Sequence, residues 1–128
     1  MNSAKRHEQA LTLLTEALKV QPDTQPLVIA LGVTLGHLRR WPDAYDALSR
    51  ARELGPTFPE LECHLGEAEL LSGHMREGVS RLQRVLAQTQ VQGVATSEQP
   101  QAYRRAGFVL ATFQKVAAGL RSRSTSTP

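Results

Sequence analysis

Residues 26–56, PLVIALGVTLGHLRRWPDAYDALSRARELGP, carry two apolar stripes at helical spacing on either side of one short turn. Leu27, Val28, Leu31, Leu35 and Leu38 recur every three or four residues, as one packed face of a helix requires, and the stripe stops before Trp41-Pro42. Beyond it Ala44, Tyr45, Leu48, Ala51 and Leu54 repeat the pattern, and Gly55-Pro56 ends it. Pro26 and Pro42 sit where a first helical turn tolerates a residue without an N–H. The spacing predicts helices over 25–38 and 42–54.

The same pattern recurs outward at a 34-residue offset: Leu31 answers Leu65, Gly32 answers Gly66, Leu14 answers Leu48 and Leu82, and Ala10 answers Ala44. Self-similarity at this period marks an array of helical hairpins. Before the central unit, Ser3 is a candidate cap, and Ala10, Leu11, Leu14, Ala17 and Leu18 predict a helix over 3–20 that stops at Pro22-Asp23. After it, Pro59 opens a helix over 59–72 with Leu61, Leu65, Ala68 and Leu70 or Leu71 inward, closed by Gly73 as a left-handed cap. Met75, Val79, Leu82, Val85 and Leu86 supply a fifth helix, which fades through Gln88-Thr89-Gln90 into a Gly/Ser/Thr/Gln-rich loop over 90–100. Pro100 opens a last helix to about residue 120, with Tyr103, Ala106, Val109, Leu110, Phe113 and Val116 inward.

The expected fold is all-α, a right-handed α-solenoid of about six antiparallel helices with a C-terminal capping helix. Its single domain, 1–120, divides into a half repeat 3–22, a repeat 25–58, a repeat 59–92 and a last helix 100–120. Residues 121–128 contain no apolar side chain and are expected to be disordered. The half repeat carries only the second helix of a hairpin, so one of its faces calls for a neighbour.

At 128 residues with 41% apolar content the chain has the length and material for one helical core. No apolar run is long enough to span a bilayer, so no membrane role is expected, and a cytoplasmic location fits the absence of a signal core. The lone Cys63 excludes an internal disulfide and a multi-cysteine zinc site. The net charge of +3 is unevenly spread, because residues 98–128 hold 5 Lys/Arg against 1 Asp/Glu. Arg104, Arg105, Lys115, Arg121 and Arg123 have no interleaved aromatic residues to stack on bases, which argues against nucleic acid as the partner. Catalysis is not expected. Cys63 and His64 are adjacent and so point about 100° apart on a helix, and none of His7, His37, His64 and His74 has the spacing of a metal-binding helix. No phosphate-binding glycine loop occurs, and neither a cofactor nor a metal is expected.

Val28-x2-Leu31-Gly32-x2-Leu35, Ala44-x3-Leu48-x2-Ala51 and Pro56 together resemble the tetratricopeptide repeat. The next unit keeps Leu65-Gly66, Leu82 and Val85, with Gly78 in the small-residue place, but carries Glu62, Glu69 and Gln90 at three motif positions. Ala10-x3-Leu14-x2-Ala17 with Pro22 matches a second helix alone. Tyr103-x2-Ala106-Gly107-x2-Leu110 matches a first helix alone, after a seven-residue insertion.

The resemblance implies a protein or peptide partner held along a concave surface lined by the first helix of each pair. Counting along helix faces, the residues expected there are Ile29, Val33, His37, Cys63, Glu67, Leu70, Arg104 and Phe108. Family members that clamp a C-terminal carboxylate use Lys, Asn and Arg at such places, which Ile29, Val33 and Cys63 cannot imitate. A mostly apolar groove suits an amphipathic helix or an extended segment; the alternative is that the last helix folds back and covers Ile29 and Val33. Trp41 and Tyr45 are expected to wedge between repeats. The segment Phe58–Leu65 and the closing helix also resemble small secretion chaperones of the bacterial type III translocator class, which implies a hydrophobic export substrate, and related small repeat proteins imply a short helical co-chaperone. A different reading is an assembly subunit that forms homo-oligomers or fixed complexes through Leu11, Leu14 and Leu18.

Overall fold

The computed structural model describes residues 3–91 and 101–125, with side chains for 3–88 and 101–119. Among the described residues are six α-helices and no strand: α1 (Ser3–Val20), α2 (Gln25–His37), α3 (Trp41–Leu54), α4 (Pro59–Leu71), α5 (Met75–Val91) and α6 (Gln101–Thr125). Each helix packs on its neighbour in sequence, most extensively α2 on α3 and α4 on α5, and α6 lies against both α4 and α5. The all-helical solenoid read from the sequence is the observed architecture.

Local chemistry sets the helix ends. Proline occupies the first turn of α2, α3 and α4. Two turns close alike: the Arg40 N–H donates to the Leu35 carbonyl at 2.9 Å, and the His74 N–H to the Glu69 carbonyl at 2.8 Å. Each bond spans five residues and requires a left-handed residue beneath it, which is Arg39 (φ 61°) in the first turn and Gly73 (φ 100°) in the second. Gly73 was expected in this role and Arg39 was not.

Close approach of paired helices follows from two glycines. A Cβ on Gly32 would stand 2.5 Å from Leu48 Cγ, and one on Gly66 2.5 Å from Leu82 Cδ2. Neither space exists, so each leucine sits where its partner helix has no side chain. Leu48, Val28, Leu61 and Leu65 form one core with α1 against its edge, and Leu82, Val85, Ala106 and Val109 form a second. α4 contributes to both, which is why Leu61, Cys63 and all of residues 65–70 are buried.

Three expectations need correction. α6 continues through Thr125 instead of ending near 120, so the start of the expected tail is helical. Val116, expected inside, is 58% exposed, because α6 outruns the helices it packs on. Trp41 packs over Gly36 of its own hairpin, with a Cβ there only 2.9 Å from the ring, and against the first core, while Tyr45 bridges repeats by packing on His74 at 4.3 Å. The expected loop over 90–100 begins as helix up to Val91, and residues 92–100 and 126–128 lie outside the described residues.

Candidate functional site

α2, α4 and α6 are the first helices of their units, and they bring together some of the residues expected in the groove but not all. On α2, Ile29, Val33 and His37 follow one another at four-residue spacing; the first two are half-buried and the third exposed. On α6, Arg104 and Phe108 share a face, and both are exposed, Phe108 to 68%. On α4 the expectation fails for Cys63 and Leu70. They are 1% and 2% exposed and belong to the core with Ala106, Val109 and Leu110, because α6 packs directly over them. Since α6 rests on α4 and α5, Ile29 and Val33 keep part of their surface open.

Glu67, 8% exposed, is held by charge. Arg105 Nε donates to Glu67 Oε1 at 2.9 Å, joining α6 to α4. Beside this pair, His37 stacks on His7 of α1 with ring centroids 4.5 Å apart and planes 7° from parallel. Burial first, and then His7, pushes the His37 pKa down, while Glu67 pulls it the other way. His7, His37, Glu67 and Arg105, from four helices, thus form one polar cluster. Arg105 and His7 were not among the expected groove residues. The signal for Arg105 was Glu67 itself, since an acid on a packed helix face needs a cation opposite it.

The two acids that break the repeat pattern share one cation. Arg81 of α5 donates from Nε to Glu69 Oε1 at 2.6 Å and also pairs with Glu62, which in turn accepts from Thr57 Oγ1 at 2.8 Å. Burial raises the Glu62 pKa, but the hydrogen bonds from Arg81 and Thr57 outweigh it and hold the carboxyl below its ordinary value. A cleft of about 460 Å³ opens beside this network, lined by Tyr45, Ser49, Arg52, Leu65 and Glu69. Its charges are already paired, Arg81 with Glu62 and Glu69, and Arg52 with Glu62 at 3.5 Å.

The chemistry at Cys63 is that of a packing thiol. Burial first, then Glu60, Glu62 and Glu67, pushes its pKa up to about 12, so the sulfur stays protonated and unreactive. His64 is held below its ordinary pKa by burial and is no base for that thiol. No group of three His, Cys, Asp or Glu side chains among the described residues is placed to hold a metal ion. No helix among them is long and apolar enough to cross a membrane.

No family model matches the sequence, and no solved structure matches it. The chain is 31% identical over 88 residues to a peroxisomal targeting signal receptor of Eremothecium gossypii, and 32% identical over 89 residues to one of Candida albicans. The matches cover 69% and 70% of this chain but 16% and 15% of those proteins, so the chain spans about one-sixth of the length of the curated relatives it matches. With the repeat pattern, the two glycine-leucine contacts and the stacked hairpins, the similarity supports a tetratricopeptide-like helical-repeat architecture for this chain.

Proposed function

We propose that the chain binds a short segment of a partner protein along the face formed by α2, α4 and α6, and performs no catalysis. An apolar side chain of the partner packs between Phe108 and Val33, and an acidic group of the partner meets Arg104 and Arg105. The observation behind this is Phe108, an aromatic ring 68% open to water and one helical turn from Arg104 and Arg105, which offers an apolar contact flanked by two cations. Arg105 uses only Nε on Glu67 and is 56% exposed, which leaves guanidinium donors for a carboxylate. Arg104 makes no ion pair among the described residues. The relatives are named as receptors for a targeting signal, which supports a peptide ligand. In its narrower form the ligand is an apolar export segment kept soluble in the cytoplasm by a secretion chaperone, with a small helical co-chaperone as second partner.

A phage-displayed random-peptide selection tests this. The expected result is enrichment of peptides that combine a bulky apolar residue with Asp, Glu or a free C-terminus, and loss of their binding in Phe108→Asp and in the double variant Arg104→Ala/Arg105→Ala. Failure to enrich any peptide, or equal binding to all variants, contradicts the reading.

The second reading, assembly through α1, is favoured by Leu13 and Val20, which are 71% and 80% exposed on that helix. The residues expected to form that face are placed differently: Leu11 and Leu18 pack on the first core, and Leu14 is half-buried.

A further inference from the structure

His37 lies on the face proposed for the partner segment and meets titratable or charged groups from three other helices. His7 of α1 stacks on its ring, with centroids 4.5 Å apart and planes 7° from parallel. Glu67 of α4 and Arg105 of α6, themselves joined at 2.9 Å, both act on its charge, and His64 of α4 is near enough for His37 to act on it. α3, also packed on α2, adds no group among the described residues to those acting on His37. With His37 neutral, Glu67 cancels Arg105 and leaves Arg104 as the uncompensated cation beside Phe108. A proton on His37 supplies Glu67 with a second cation, so the positive charge facing a partner rises by one.

We propose that binding of the partner's acidic group is coupled to uptake of one proton by His37, so that this face holds acidic segments more tightly as pH falls from about 7.5 to about 5.5. The inference rests on the reading that such a segment binds across α2, α4 and α6. In the free protein, burial first and then His7 hold His37 below its ordinary pKa. A carboxylate bound at Arg104 and Arg105 brings a new negative charge to the same cluster and favours the protonated ring. The complex therefore binds more protons than the free protein, and its affinity grows on acidification through the histidine range. The partner's own carboxylate, with an ordinary pKa near 4, stays ionised throughout. The stack restricts the uptake to one proton, because two imidazolium rings held parallel at 4.5 Å repel each other.

Isothermal titration calorimetry reads affinity and proton uptake together, with a peptide from the selection above that carries one Asp or Glu. It is run at about pH 7.5, 6.5 and 5.5 in buffers of different ionisation enthalpy, and circular dichroism at each pH checks that every variant is folded. The wild type is expected to bind roughly fivefold more tightly at the lowest pH than at the highest, with a net uptake of protons on binding. His37→Gln is expected to bind with the same affinity at all three values and without uptake, whereas His64→Gln keeps the coupling. His7→Gln removes the like charge stacked on His37, so its tightening is expected to begin at higher pH. The peptide with its acid replaced by the amide is expected to lose the pH dependence. A wild type that binds the peptide equally at every pH, or a His37→Gln variant that retains the dependence, overturns the coupling and leaves the peptide-binding reading standing. Absence of binding at every pH overturns both.

Discussion

Arg39 and Gly73 occupy the same place in successive turns, 34 residues apart, and both are left-handed, at φ 61° and 100°. Glycine adopts that conformation without steric cost, whereas a residue with a Cβ is strained by roughly 1–2 kcal/mol, partly offset by the entropy glycine loses on folding. Arg39→Gly is therefore expected to stabilise the protein by about 0.5–1 kcal/mol, read as a higher midpoint in thermal or urea unfolding.

The three register-equivalent glycines divide sharply. Gly32→Ala and Gly66→Ala place a methyl 2.5 Å from a leucine carbon that is itself packed, so each is expected to destabilise by roughly 1–3 kcal/mol. Gly107→Ala meets nothing within 4 Å among the described residues and removes a helix-interior glycine, so it is expected to stabilise by roughly 0.5–1 kcal/mol. Urea unfolding of dilute protein separates the two signs.

Arg81 has a side chain 12% exposed between Glu69 at 5% and Glu62 at 14%. Replacing it alone by Met strands the Glu69 carboxylate and leaves Glu62 only Thr57 and the half-exposed Arg52, and is expected to cost roughly 3–5 kcal/mol. Replacing all three at once, as Glu62→Leu/Glu69→Leu/Arg81→Met, removes the charges together with their desolvation, and a stability near wild type or above it is expected. Calorimetric melting of the single and triple variants measures the difference.

Stability depends on pH in two separate windows. His37 and His64 sit below their ordinary pKa, chiefly through burial, with Glu67 opposing in both cases. Their folded forms bind fewer protons than the unfolded chain, so this contribution is complete above the unfolded value of about 6.5 and is lost as pH falls below it. Glu62 is also depressed, so its contribution is present above an unfolded value of about 4.3 and is lost as pH falls through the lower folded value. Melting temperature is expected to fall first on acidification below neutrality and again in the carboxylate range, and His64→Gln to flatten only the upper step.

The fold was legible because its decisive contacts are steric and recur at one period. Gly32 with Leu48, and Gly66 with Leu82, need small and large residues at fixed spacing, and sequence records size and spacing directly. Arg39 was hidden because an arginine carries no mark of a left-handed backbone, unlike Gly73. The binding surface was read less well. Counting along a helix places Cys63 and Leu70 beside Glu67, but it does not say which part of α4 the last helix covers, and the insertion before α6 breaks the period that would have fixed its position. Glu62 and Glu69 were visible as departures from the repeat, while the arginine they share lies 19 and 12 residues away on another helix.

The central claim is that a partner peptide lies across α2, α4 and α6 and not in the cleft beside Arg81. A backbone amide NMR titration of the chain with a peptide from the selection tests it most directly. The expected result is saturable shift changes concentrated at Ile29, Val33, His37, Glu67, Arg104, Arg105 and Phe108, with Ser49, Arg52 and Arg81 unmoved. Changes confined to Ser49, Arg52 and Arg81, or none on α6, would contradict it.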